Sequence, residues 1–442
     1  MKTPRKVAVD ILNSVIYNKA YSNIVLGQEL NKSNLDSKDK ALVTEIVYGT
    51  LKYKLTLDTI IQSYVRNNIN KMDKSISNIL RMSIYQLRYL DKIPEFAAVN
   101  EAVNIAKSIS IKHSKLVNGV LRNYIRTDEN KKYYDEENKI EYLKFKYSYP
   151  NWITKMFINQ YGEELAEKIL QGLNETPDLT VRVNNLKEDY ENIWEFLHQY
   201  GYNIQEGVIC PEAIKILKGK NIENNPLFVK GDITVQDESA MLVAPSMELK
   251  EGMKVIDLCS APGGKTTHMA EVMNNKGKIY ACDVHENKLT LIKQNAQRLG
   301  ISIIETKVKD ATVYDKNFKE ELDRVLIDVP CSGLGIIRKK PEIKWTKNTK
   351  DIKNIIKIQK NIMENACLYL KKDGIMLYST CTINKEENEK NVLSFLQKHK
   401  EFKVEPLYFG SVENIVYHKE GFVTILPNKN MDGFFIAKLR KC

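Results

Sequence analysis

Two cysteines, one glycine-rich turn and a spaced series of aspartates are the residues of this 442-residue chain whose types and spacing allow chemistry. Cys331 sits in Leu326-Ile327-Asp328-Val329-Pro330-Cys331-Ser332-Gly333, and Cys381 in Gly374-Ile375-Met376-Leu377-Tyr378-Ser379-Thr380-Cys381-Thr382. Each follows an apolar run that reads as a buried strand. A thiolate is a strong nucleophile, and two strand-end thiols suit covalent chemistry on a substrate that must be attacked before it reacts. Upstream lies the turn Asp257-Leu258-Cys259-Ser260-Ala261-Pro262-Gly263-Gly264-Lys265-Thr266. Its glycines let the backbone approach a ligand and adopt strained dihedrals. The turn matches neither G-x-x-x-x-G-K-S/T nor G-x-G-x-x-G, so it is not a P-loop or a dinucleotide fingerprint. Asp283 ends the next apolar run, Asp310 follows the third and Asp328 ends the fourth. Singly, each reads equally well as a cap or turn residue. Together they line one rim, where an acid after the second strand accepts hydrogen bonds from ribose hydroxyls. The set predicts a pocket for a nucleoside-containing cofactor.

These residues need a scaffold, and the rhythm of the sequence supplies one. From about residue 250, strand-like runs alternate with helical periods: Lys254–Cys259, Lys278–Asp283, Ile303–Val308, Arg324–Val329 and Gly374–Ser379. Alternation of this kind predicts a parallel sheet with helices on both faces and ligands beyond the carboxyl ends of the strands. In a 3-2-1-4-5 strand order the fourth and fifth strands are neighbours, so Cys331 and Cys381 face one pocket. Gly421–Leu426 and Gly433–Leu439 read as a closing hairpin. Residues 4–125 read as nearly all helix: Val7, Ile11, Leu12, Val15 and Ile16 recur at helical spacing, as do Ile76, Ile79, Leu80 and Ile84. Between these parts, Leu179–Val183 alternates like a strand and Ile193–Tyr200 like a helix. The expected organisation is an all-α domain over 1–127, a charged linker over 128–149, a small α+β connector over 150–240 and a Rossmann-like α/β domain over 241–442.

Composition bounds the function. Hydrophobic residues make up 43% and charged residues 28%, as in a globular protein. No apolar run reaches the roughly 18 residues of a membrane span, and the start lacks a signal core, so a cytoplasmic protein is expected. Seven cysteines without a Cys-x-x-Cys pair, and six unclustered histidines, argue against a disulfide framework and against a metal site. The net charge is +11, and residues 1–127 carry 20 Lys/Arg against 10 Asp/Glu, leaving 47 against 46 in the rest. That asymmetry points to a polyanionic partner, most simply nucleic acid. Arg338-Lys339-Lys340-Pro341-Glu342-Ile343-Lys344-Trp345 is expected as a basic loop that offers phosphate contacts and an indole at the pocket mouth.

The motifs D-L-C-S-A-P-G-G-K-T, D-V-P-C-S-G and S-T-C, in this order on strand ends, resemble those of S-adenosylmethionine-dependent RNA (cytosine-5) methyltransferases of the Nol1/Nop2/Sun family. The resemblance implies a class-I methyltransferase domain and S-adenosyl-L-methionine as cofactor. It implies that Cys259, Ser260, Ala261, Pro262, Gly263, Gly264 and Lys265 hold the methionine part, Asp283 the ribose and Asp310 the adenine side. Asp328 would lie between cofactor and target base. It assigns Cys381 as nucleophile and Cys331 as the group assisting release, a choice the residues alone leave open. V-Y-G-T-L-K at 47–52, I-P-E-F-A-A-V-N-E-A-V at 93–103 and L-V-N-G-V-L-R-N at 116–123 are similar to a NusB-like RNA-binding domain. This arrangement resembles the bacterial 16S rRNA branch and implies an RNA partner; a monomer is expected. Two departures from the family pattern are Lys288 in place of Arg and Thr382 in place of Ser. The alternatives are a tRNA or 23S rRNA cytosine-5 methyltransferase, and a non-catalytic RNA-binding assembly factor.

Overall fold

A computed structural model describes residues 2–442, which form two compact units: residues 2–174 with 337–348, and residues 175–336 with 349–442.

The first unit is helical. Its opening helix, Pro4–Asn18, starts with proline at a position that needs no N–H, and Thr3 Oγ1 accepts from Lys6 N. Asp36, Asp73 and Ser110 cap three later helices in the same way. Of the expected periodic residues, Val7, Ile11, Leu12, Val15, Ile76, Ile79, Leu80 and Ile84 are buried in one core, and Ile16 packs half-buried against it. Gly49 is a close-approach position, since a side chain there would overlap the Tyr85 ring.

Two expectations fail in this unit. Residues 128–149 are not an open linker, because they contain the helix Lys139–Tyr147, and Tyr133 and Tyr134 stack on Phe145 against the core. The basic segment is not an exposed loop. Residues 337–348 fold into the helical unit, with Arg338, Pro341, Glu342, Ile343 and Lys344 buried. The Glu342 carboxylate accepts from Ser22 N (3.1 Å) and Ser22 Oγ (2.7 Å), at the start of the helix Ser22–Lys32. Trp345 Nε1 donates to Leu51 O (2.8 Å). Charge counting missed this because Ile343 and Trp345 supply apolar surface, and burying it outweighs keeping the neighbouring charges wet. The helices Asn151–Tyr161 and Glu163–Gly172 pack with this unit.

The second unit holds two sheets. The small one has strands β1 (Leu179–Val183), β2 (Asn203–Glu206), β3 (Ala213–Lys218) and β4 (Ile233–Val235), in the order β2-β3-β1-β4. The large one contains β5 (Lys254–Asp257), β6 (Lys278–Asp283), β7 (Ile304–Val308), β8 (Leu322–Asp328) and β9 (Leu370–Thr380). These five are parallel and run β7-β6-β5-β8-β9, the expected 3-2-1-4-5 order. Four more strands complete it: β10 (Phe402–Glu405), β11 (Ile415–Tyr417), β12 (Val423–Ile425) and β13 (Phe434–Lys441). Strand β13 lies antiparallel beside β9 and pairs with β12, which is the expected hairpin. The short strands β10 and β11 were not expected. No described helix is long and apolar enough to cross a membrane.

Candidate active site

The site lies at the carboxyl ends of β5, β6, β8 and β9. Strand β5 ends at Asp257, and the chain turns through Cys259–Gly263 into the helix Gly264–Val272. Gly263 has φ +104°, where an L side chain is strained, and a side chain there would press on Ile292. Ser260 holds the turn with two bonds, from N and from Oγ, to Cys282 O at the end of β6 (2.8 Å each). The Ala261–Pro262 peptide is cis. Asp257 is buried: its Oδ2 accepts from Thr266 Oγ1 (2.7 Å) and its Oδ1 from Cys259 N (3.3 Å). Burial pushes its carboxyl up to about 7, against the lowering effect of the Thr266 bond.

Two of the three expected rim acids stand in different states. Asp283 is mostly buried; its Oδ1 accepts from His285 N (2.9 Å) and lies 3.9 Å from Lys288 Nζ. Among the described residues no donor bonds its Oδ2, which leaves that oxygen for ribose hydroxyls. Asp310 is exposed, and its Oδ1 closes a turn with Thr312 N (2.8 Å) and Thr312 Oγ1 (2.7 Å). No neighbouring group crowds Gly264 at the turn's open side. The turn and Asp283 thus fit a nucleoside cofactor carrying a charged side chain.

The third acid belongs with the thiols. Asp328 on β8 stands opposite Ser379 on β9. Asp328 Oδ2 accepts from Lys265 Nζ (2.7 Å), and Oδ1 accepts from Ser379 Oγ (2.7 Å). Burial alone would lower the Lys265 pKa, but Asp328 outweighs it, with Cys381 and Asp257 adding, and holds it above its usual value. Lys265, expected among the cofactor residues, therefore reaches the thiol end of the pocket. Cys331 Sγ lies 3.2 Å from Cys381 Sγ. The Cys331 thiol is pushed well above its ordinary range, first by that contact and then by burial. The loop behind Cys331 is clamped where Gly335 N donates to Cys381 O (3.0 Å) and Gly433 N donates to Gly335 O (2.9 Å). A side chain at Gly335 would overlap the Gly433 backbone.

Sequence reasoning did not find two supporting groups. Arg182 on β1 is fully buried, and its guanidinium grips Glu271 (2.9 and 2.7 Å), Gln236 and the Gly264 carbonyl (3.1 Å). It props the helix that carries the cofactor turn. The second is Glu387, which lies within the polar run after Cys381 and carried no signal. Of the remaining cysteines, Cys210, Cys282 and Cys367 are buried, Cys442 is exposed, and burial raises the Cys259 thiol well above its ordinary range.

Comparison with known proteins fits this architecture. The family described as 16S rRNA methyltransferase RsmB/F matches residues 244–440. The NusB family matches residues 2–126, and an RsmF/B-like ferredoxin-like domain matches 149–223. The chain is 38% identical to the probable ribosomal RNA small subunit methyltransferase B of Bacillus subtilis, over 99% of this chain and 98% of that one. It is 35% identical to a protein of the same name from Synechocystis, over the whole of both chains. The crystal structure of NSun6 from Pyrococcus horikoshii with SFG matches 66% of this chain and 98% of that one, at 25% identity and a TM-score of 0.59. With a NusB domain, a ferredoxin-like connector and a Rossmann-like methyltransferase domain in one chain, the protein belongs to the RsmB/F family of methyltransferases.

Proposed function

We propose that this protein methylates C5 of a cytosine in 16S rRNA, position 967 in the reading that the family resemblance implies, through a covalent Cys381–C6 intermediate. The observation that carries the proposal is the meeting of two sulfurs, 3.2 Å apart, beside an Asp328 carboxylate held by Lys265 and Ser379. S-adenosylmethionine, held by residues 259–265, Asp283 and Asp310, supplies an electrophilic methyl group when bound. Everything else falls to the chain itself. Cytosine C5 is a poor nucleophile, and addition of the Cys381 sulfur to C6 makes it enamine-like. Asp328 faces the base edge, accepting from the exocyclic amine and from the proton that N3 takes from solvent on attack and returns to solvent on release, which favours cytosine over uracil. Lys265 supplies the positive charge that a thiolate nucleophile needs nearby. After methylation the C5 proton leaves to solvent and its electron pair re-forms the C5–C6 double bond. The C6–S bond breaks, and its pair departs on the Cys381 sulfur, which accepts a hydrogen bond from the Cys331 S–H.

The exposed Lys107, Lys112, Lys115, Arg122 and Arg126 of the helical domain suit phosphate contacts. Changing three of them to Gln should reduce the salt slope of RNA binding by about 2, at roughly 0.7 per contact on single-stranded RNA. An unchanged slope would move the RNA elsewhere. Bisulfite sequencing of total RNA tests the function directly. One 16S cytosine should lose protection in cells lacking the gene and regain it with the wild-type gene but not with Cys381→Ala. Loss in tRNA or 23S rRNA instead would favour the other cytosine-5 readings. No loss anywhere would leave an RNA-binding assembly factor.

A further inference from the structure

Glu387 is fully buried, and no ammonium or guanidinium bonds it among the described residues. An unpaired buried carboxylate is costly. Here four neutral donors offset that cost: Ser332 N (2.8 Å), Ser332 Oγ (2.6 Å), Asn384 Nδ2 (3.0 Å) and Gln359 Nε2 (3.1 Å). Two of the four come from the residue that follows Cys331. Ser332 Oγ also meets Thr382 Oγ1 (2.9 Å), on the residue that follows Cys381. Because the Ser332 hydroxyl donates to Glu387, it accepts from Thr382. Gln359 Nε2 also reaches Pro330 O (3.0 Å), on the other side of Cys331. The two sulfurs are therefore held at contact distance by a strap that runs Thr382, Ser332, Glu387 one residue behind each of them.

We infer that Glu387 is a positioning residue that gives the two thiols different tasks. It ties the loop behind Cys331 to the turn behind Cys381, and it fixes a negative charge on the Cys331 side of the pocket while Lys265 stands on the Cys381 side. This rests on the proposed reaction, which needs one sulfur to attack and the other to keep its proton. Cys381, burial and then Glu387 push the Cys331 thiol up, and the Gly333 N–H opposes them; Tyr378, buried on β9, donates its hydroxyl to Glu387 O (2.5 Å) and feels the same charges. Lys265 answers to Asp328 and Cys381. Two adjacent thiols cannot both ionise beside a third fixed negative charge, so Cys331 retains its proton and directs it at the Cys381 sulfur.

The test measures initial rates of iodoacetamide alkylation at each cysteine, across neutral to alkaline pH, on the full chain without RNA. In the wild type Cys381 should react about tenfold faster than Cys331. Glu387→Gln should cut that preference about fivefold or more and move the onset of Cys331 alkylation to lower pH. Glu387→Asp, which keeps the charge, should restore the preference. An unchanged ratio in a folded Glu387→Gln protein, or loss in both variants, overturns the inference. If Glu387→Gln does not fold, Ser332→Ala cuts the strap and leaves the carboxylate. Bridging of the two thiols by dibromobimane should then slow several-fold, and unaltered bridging overturns the inference. Neither readout involves methyl transfer. A wild type that shows the asymmetry but methylates no RNA would retire the proposed reaction and leave the role of Glu387 standing.

Discussion

Two lysines, Lys265 half-buried and Lys344 fully buried, divide the molecule's labour. In the catalytic unit, Lys265 pairs with a carboxylate, and Asp328 holds its pKa above the usual value despite burial. In the helical unit, Lys344 has no carboxylate. Its ammonium donates to Asn174 Oδ1 (2.8 Å) and to the carbonyls of Lys52 (3.1 Å), Tyr147 (3.2 Å) and Ser148 (3.2 Å), and it sits 3.6 Å from the Tyr149 ring centroid. Burial, with Lys52 adding, draws its pKa well below the ordinary lysine value. The same side chain thus meets a counter-charge in one unit and closes a fold on neutral acceptors in the other. Sequence alone does not separate the two, because both lie in polar stretches beside turns.

The sharpest break separates the thiols beside Lys265. Cys381→Ala should abolish both methylation and any protein–RNA adduct. Cys331→Ala should permit attack and methyl transfer but stall release, so that an adduct survives denaturing electrophoresis. The reverse pattern would exchange the assignments.

Next comes the lysine contrast itself. Lys265→Met should lower kcat about a hundredfold or more, equivalent to about 2.7 kcal/mol or more of transition-state stabilisation, with a native circular dichroism spectrum. Lys344→Met should leave cofactor affinity unchanged and cost about 1–3 kcal/mol of stability through orphaned carbonyls. It should also flatten a pH dependence. Since the folded state releases the Lys344 proton below the ordinary lysine value of 10.5, the unfolded chain binds more protons across the intervening window. Stability therefore rises with pH through that window, and the penalty is present below it and gone above it. Melts of both proteins at neutral and alkaline pH decide this; equal slopes would mean that Lys344 stays charged throughout.

Asp257 titrates with the opposite sign. Its folded carboxyl, near 7 against an ordinary 3.8, binds a proton that the unfolded chain has lost. The stability it contributes is fully present below about 3.8 and disappears as pH rises through about 7. Asp257→Asn should narrow the difference in Tm between mildly acidic and mildly alkaline solution. An equal difference in both proteins would show that Asp257 is ionised throughout.

The smallest effects compare the rim acids. Asp283→Ala should weaken S-adenosylmethionine binding roughly tenfold, through charge-assisted bonds of about 1.5–3 kcal/mol each. Asp310→Ala should change it by no more than about threefold, since an exposed turn carboxylate competes with water. Calorimetry showing the larger loss at Asp310 would move the ribose away from Asp283.

Local pattern was enough for much of this. Apolar runs of strand length at a helical interval determine a parallel sheet, and chain order with handedness then puts the third, second, first, fourth and fifth strands side by side. Cys331 and Cys381 were therefore legible as neighbours from sequence alone. The helical face of Val7, Ile11 and Leu12 was equally plain, because periodicity reports which side of an element is buried. It does not report what that side is buried against. The pairing of Lys265 with Asp328, the grip of Arg182 on Glu271, the Glu387 strap and the transfer of residues 337–348 into the helical unit all join residues far apart in the chain. Each depends on which donors and acceptors lose water together, a condition that exists only once the elements have packed.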